Sequence, residues 1–118
     1  MANSGEAIVY GAVKALVDGR CYPDVAPATT PRPYVTYQAV GGQSTNYMSD
    51  TDNLQNARMQ VNVWADSRTT ALAVMQSIIA ALCGDPINAT SIGAPVSAYE
   101  VDTKLYGSRL DFSIWWNT

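Results

Sequence analysis

The amino-acid sequence predicts an α+β domain, with two helices packed on one face of a mostly antiparallel sheet of about four or more strands. Two segments have the apolar spacing of amphipathic helices, and four have the extended or alternating character of strands. These segments follow each other in the order α-β-β-α-β-β, which favours a layered α+β arrangement. A chain of 118 residues has the length of one domain, so we assign residues 1–118 to a single unit.

The helices are predicted over residues 4–17 and from Ser67 to Cys83. Ser4 and Ser67 can cap their first turns, and Gly19 and Gly84 follow their last apolar positions. Each helix has one apolar stripe with i, i+3, i+4 spacing. The two stripes consist of Val9, Ala12, Val13, Leu16 and Val17, and of Ala71, Leu72, Met75, Ile78, Ile79 and Leu82.

Strands are predicted over residues 34–40, 57–65, 96–105 and 109–116. The first is rich in aromatic and β-branched residues, and the second alternates apolar with mostly polar positions. The last two also alternate, and we expect Tyr106-Gly107-Ser108 to be the hairpin turn between them. We expect residues 87–95 to be a turn-rich connector.

Two long segments separate these elements. Residues 19–33 contain four of the six prolines, which fix backbone angles and make this segment a stiff, non-helical path. Residues 43–56 are polar, with Tyr47, Met48 and Leu54 as apolar anchors. The segment is either a long loop or the tip of an extended hairpin, and unstructured loops of this length are uncommon unless they are functional or disordered.

The charge pattern makes several classes of function improbable. The net charge is −3, and the seven Lys and Arg residues are scattered singly, unlike the basic clusters of nucleic-acid binders. No apolar run has the length of a membrane span, and residues 1–6 lack the features of a secretory signal, so we expect a soluble protein used without export. Only 14% of the residues are charged, which suggests that part of the surface is covered by other copies.

The sequence offers little chemistry for catalysis. It has no histidine, which removes the commonest general base and metal ligand. Cys21 and Cys83 can form a disulfide only if their Cα atoms come within about 7 Å; otherwise they are small core residues. Asp50 and Asp52 begin a calcium-loop pattern that nothing completes. We therefore predict no enzyme activity, no cofactor and no metal site.

The three tryptophans are candidate interface residues. Adjacent strand residues point to opposite faces of a sheet, so if Trp116 belongs to the core, Trp115 lies on the other face, as does Trp64. They could be covered within the subunit, or they could anchor a contact between subunits, where Trp is enriched.

Several motifs together resemble the tail-completion, or tail-terminator, proteins of long-tailed bacteriophages, prophages and phage-like particles. The matching segments are residues 19–24 with Ala26-Pro27, residues 33–38, residues 57–65, and a long helix ending in Ala80-Ala81-Leu82. The order and spacing cover about residues 4–116. Cys21 stands where a small aliphatic residue is common, and the C-terminal third matches more in pattern than in residues.

This resemblance implies a structural virion protein without catalytic residues. Six copies would form a ring that caps the tail tube, stops its polymerisation and joins the tail to the head and neck. The implied partners are other copies, the tail tube protein and a head or neck connector protein, and assembly would take place in the host bacterial cytoplasm.

DNA would pass through the ring without being bound specifically. No membrane partner is implied for the protein. A bore for DNA should repel phosphates, so we expect acidic residues to outnumber basic ones along it. The candidate channel-lining residues are Asp50, Asp52, Glu100 and Asp102. Because residues 43–56 are long and polar, we expect them to form an arm that reaches a neighbouring subunit or the tube. The candidate residues for subunit or tube contacts are Tyr47, Met48, Leu54, Trp64 and Trp115.

Two other interpretations remain open. The chain could be another neck protein, a head–tail connector of similar size. It could also be a dimeric α+β domain that binds a small ligand between its tyrosines and tryptophans, which would require a concave apolar cavity.

Overall fold

The computed structural model describes residues 4–42 and 54–117. In chain order the elements are helix α1 (Gly5–Val13), a short 3-10 helix (Lys14–Val17), strands β1 (Cys21–Pro23), β2 (Tyr34–Ala39) and β3 (Leu54–Ala65), helix α2 (Arg68–Cys83), and strands β4 (Thr90–Glu100) and β5 (Leu105–Asn117). The strands form one sheet in the order β1-β2-β3-β5-β4. An α+β fold with two helices is therefore confirmed.

The predicted element order was wrong because β1 was missed. β1 lies in the proline-rich segment and pairs in parallel with β2, placing Cys21 beside Val35 and Tyr22 beside Thr36. All other strand pairs are antiparallel. The sheet is therefore mixed. A three-residue strand with a proline has no recognisable alternation, and only its partner β2 makes it a strand.

The hairpin turn was also predicted at the wrong place. Residues 101–104 make the turn, and Tyr106, Gly107 and Ser108 pair inside β5 with Ala65, Trp64 and Val63 of β3. The connector predicted over residues 87–95 is shorter in the structure, because β4 already begins at Thr90. A register shift between Ile92 and Val96 interrupts β4, at a place where Gly93 has a positive φ of 84°.

The helix caps follow the sequence more closely. The side-chain oxygens of Ser4 and Ser67 accept hydrogen bonds from the backbone N–H groups of Ala7 and Thr70, which satisfies orphan donors of the first turns. The 3-10 helix ends at Asp18, whose φ of 50° is left-handed. Gly19, the predicted left-handed stop, follows with a positive φ of 81°, so the left-handed end begins one residue earlier than predicted and includes Gly19.

The core lies between the helices and one face of the sheet. The fully buried apolar side chains of α1 and α2 meet those of β2, β3 and β5, which alternate along each strand as expected for a sheet covered on one side. The buried residues at its centre are Val9, Val13, Val35, Met59, Val61, Val63, Met75, Ile78, Leu82, Phe112 and Ile114. Neither of the helices within residues 4–42 and 54–117 covers the opposite face of the sheet.

Candidate assembly surfaces

The face of the sheet opposite the helices, which we call the open face, carries several polar side chains that contact one another across the strands. Arg58 donates through Nε to Oδ2 of Asp111 at 2.8 Å, and Arg109 donates through Nε to Oδ1 of Asn62 at 3.1 Å. Asn56 donates to the Ser113 hydroxyl at 3.0 Å. These cross-strand pairs hold both arginines of β3 and β5 to groups of the same face.

The tryptophans are distributed over the two faces as the alternation predicted. Trp116 packs against the core on the helix side, whereas Trp64 and Trp115 lie on the open face. Trp64 is half-buried: its ring covers Gly107, and its indole N–H points to the Thr36 hydroxyl oxygen at 3.4 Å. Trp115 is more open, with 39% of its surface exposed.

A shallow groove of about 340 Å³ crosses the open face beside the proline-rich segment. Its walls include Asp24, Tyr34, Trp64, Glu100 and Arg109. Burial and the nearby Glu100 charge raise the pKa of the Tyr34 hydroxyl, while Arg32 opposes this shift. The lining is mixed and largely polar, unlike the concave apolar cavity that a small-ligand domain would need.

The tip of the β4–β5 hairpin carries two of the predicted acidic residues. Glu100 ends β4, and its Oε1 accepts a hydrogen bond of 2.5 Å from the Thr103 hydroxyl. Asp102 was expected on a strand but lies in the turn at residues 101–104. Lys104, two positions further along this turn, has a left-handed φ of 57°. The tip therefore has two carboxylates and one ammonium group, with Val101 74% exposed.

One aromatic cluster was not identified from the sequence. The rings of Tyr99 and Tyr106 lie 4.9 Å apart across the hairpin, and the Arg68 guanidinium lies 5.9 Å from the centre of the Tyr106 ring. Tyr99 and Tyr106 face each other only in the observed register of β4 and β5. The turn predicted at residues 106–108 gave a different register, so this pair could not be predicted.

The remaining candidate residues are placed as follows. Tyr47, Met48, Asp50 and Asp52 lie outside the described residues. Leu54 is half-buried at the start of β3, opposite Asn117, so the predicted arm ends inside a strand at its C-terminal side. Both cysteines are free, and burial raises the pKa of the Cys21 thiol to about 11.

Two further features of residues 4–42 and 54–117 concern metal ions and membranes. No group of three or more Cys, Asp or Glu residues in these ranges could hold a metal ion. Neither helix in these ranges is long and apolar enough to cross a membrane.

Comparison with known proteins identifies the family. The sequence profile of tail completion protein gp17 matches residues 9–117, so the chain belongs to this family. No curated protein sequence matches the chain. The family supports a structural role in a phage tail, as a component of the virion.

Solved structures share the fold. One chain from the virion of a native gene transfer agent (GTA) particle has a TM-score of 0.64 and 17% identity, with 97% of this chain and 95% of that chain covered. The bacteriophage SPP1 gp17 protein has a TM-score of 0.50 and 18% identity, with 96% and 88% covered. The similarity thus extends over the whole fold.

Proposed function

We propose that this chain is a tail terminator, which forms a ring, most simply a hexamer, at the end of the tail tube. The ring stops the tube from growing and joins the tail to the head and neck. The observation that carries the proposal is the match of residues 9–117 to the tail completion family. It is supported by a fold similar from end to end to a chain of a GTA virion.

The surface chemistry is compatible with a ring subunit. Only 14% of the residues are charged, which is low for a protein whose whole surface faces water. When other copies cover part of this surface, few charged side chains have to lose their water, so the desolvation cost is small. The exposed apolar residues are spread over different sides of the fold: Trp115 lies on the open face, Leu72 on α2 and Val101 at the hairpin tip. A ring subunit needs contact surfaces on more than one side.

Two site assignments form part of the proposal. Leu54, Trp64 and Trp115 are candidate contacts with a neighbouring subunit or with the tube, together with Tyr47 and Met48 of the predicted arm. Glu100 and Asp102 are candidate acidic residues near the bore, together with Asp50 and Asp52. The DNA would then meet carboxylates that repel its phosphates.

The proposal is tested by measuring tube length. The tail tube protein of the same particle is assembled with and without this chain, and the tubes are measured by negative-stain microscopy. A terminator should limit tube growth and leave a ring at one end. Unchanged growth with no ring at either end would contradict the proposal, and binding to the head side alone would favour the head–tail connector.

A further inference from the structure

The two edges of the sheet differ in how open they are to another strand. β4 is an edge strand of 11 residues in which Glu100 is the only charged side chain. The register shift and Pro95 disturb its middle, which leaves Val96–Glu100 as a regular stretch. Edge strands without charges pair readily with other strands. At the opposite edge, β1 is short, and Pro23 has no N–H to donate.

The strand directions determine how two copies can join through these edges. β1 runs parallel to β2, and following the antiparallel pairs through β3 and β5 shows that β4 runs opposite to β1. If a second copy continues the sheet with its helices on the same side, its β1 lies antiparallel to β4 of the first. The contact is head-to-tail, and such contacts generate rings when they close.

Charge selects one register for this pairing. When Glu100 of one copy faces Arg20 of the next, Ala98 faces Tyr22, so opposite charges meet and a small side chain meets a large one. A shift of two residues in one direction places Glu100 opposite Asp18, which brings like charges together. A shift of two in the other direction places it opposite Tyr22. A shift of one would exchange the two faces of the strand.

Arg20 can accept this second partner. It immediately precedes β1, and its Nε donates to the Pro33 carbonyl oxygen at 2.9 Å. Its Nη1 lies 3.7 Å from the exposed Asp18 carboxylate, a long contact. A guanidinium has five N–H groups, so donors remain for another carboxylate. Glu100 uses one oxygen for Thr103 and retains further acceptor positions.

We propose that copies of this chain join through β4 of one copy and β1 of the next, with Glu100 of the first paired to Arg20 of the second. This inference rests on the proposed ring and specifies the surface that forms it. Few backbone groups of β1 are free for a shared ladder, because Pro23 has no N–H, the Cys21 N–H already donates to the Gly19 carbonyl oxygen at 2.9 Å, and the Pro23 carbonyl oxygen accepts from the Val25 N–H at 2.7 Å. The ion pair therefore contributes much of the specificity of the contact. In the assembled ring the Glu100 charge is then balanced, and Asp102 remains the free carboxylate of the hairpin tip.

The test reverses each charge separately and then mixes the two variants. Full-length wild-type, Arg20→Glu and Glu100→Arg proteins are compared by mass photometry and negative-stain microscopy. Each variant alone puts like charges at every contact and should need about tenfold or more protein to assemble. In an equimolar mixture, alternating copies restore an opposite-charge pair at every contact, so rings should return. Asp102→Arg, with the same change of charge two residues away, should assemble as wild type does.

The outcomes separate this inference from the proposed function. Rings formed equally well by wild type and both single variants would overturn the inference and leave the proposed ring intact, as would a mixture that fails to assemble from well-folded variants. Thermal unfolding of each variant checks that Arg20→Glu retains its fold. A wild-type protein that forms no ring, alone or on tail tubes, would overturn both.

Discussion

The contact between Trp64 and Gly107 makes a quantitative test of the open face possible. A Cβ atom built on Gly107 would lie 2.9 Å from Cζ3 of the Trp64 ring, whereas ordinary contact begins at 3.4 Å. Gly107→Ala therefore requires the indole to move by about 0.5 Å, the difference between these two distances. The ring is also held by its hydrogen bond to Thr36, so the movement weakens that contact as well.

The expected cost follows from two opposing terms. Overpacking of this kind costs about 1–3 kcal/mol. Replacing a strand glycine with alanine recovers roughly 0.5–1 kcal/mol of backbone entropy. Subtracting the gain from the cost leaves a net destabilisation of about 0–2.5 kcal/mol by Gly107→Ala, centred near about 1 kcal/mol, which lowers Tm by roughly 4 °C for a domain of this size.

Gly11→Ala is the matched control. Gly11 lies in α1, and a Cβ there would meet nothing within 4 Å. The same substitution should stabilise the protein by about 1 kcal/mol because alanine is the better helix former. Urea unfolding followed by tryptophan fluorescence measures both effects. If Gly107→Ala were as stable as Gly11→Ala, with unchanged fluorescence, the packing of Trp64 on Gly107 would be refuted.

Three further predictions concern other parts of the molecule. A double-mutant cycle on Arg58 and Asp111, whose charges lie 2.8 Å apart at the surface, should give a coupling of about 0.2–1 kcal/mol that falls with added salt; no coupling at low salt would contradict the contact. Burial raises the pKa of the Cys21 thiol from 9.0 to about 11 in the folded protein. As the pH rises, the thiol therefore ionises in the unfolded chain before it does in the folded one, so the free energy of unfolding should fall between pH 9 and 11. Urea titrations should show less of this loss in Cys21→Ala, and equal losses would contradict it. Deleting residues 43–53 should leave a folded monomer by circular dichroism but impair assembly; normal assembly would end the proposal of an arm.

Strong local patterns made most of the fold predictable. α2 has a capping serine and an apolar stripe, and β3 alternates along much of its length, so both appear close to their expected positions. The same alternation predicted that Trp115 and Trp116 lie on opposite faces. Where burial on one face dictates side-chain identity at every second position, the sequence carries the signal directly.

The missed features depend on contacts between distant residues. β1 is a strand only because β2 lies beside it, and nothing local distinguishes it from an extended loop. Gly107 looks like a turn residue, but the Trp64 ring requires a residue without a side chain there. The turn at residues 101–104 carries no glycine, and Lys104 takes the left-handed conformation that glycine usually provides.

The most direct test of the tail-terminator role is cryo-electron microscopy of the particle that contains this chain. Copies should surround the tail axis in one ring at the head-proximal end of the tube. Copies distributed along the tube or located only in the head shell, or particles without the chain, would contradict that role.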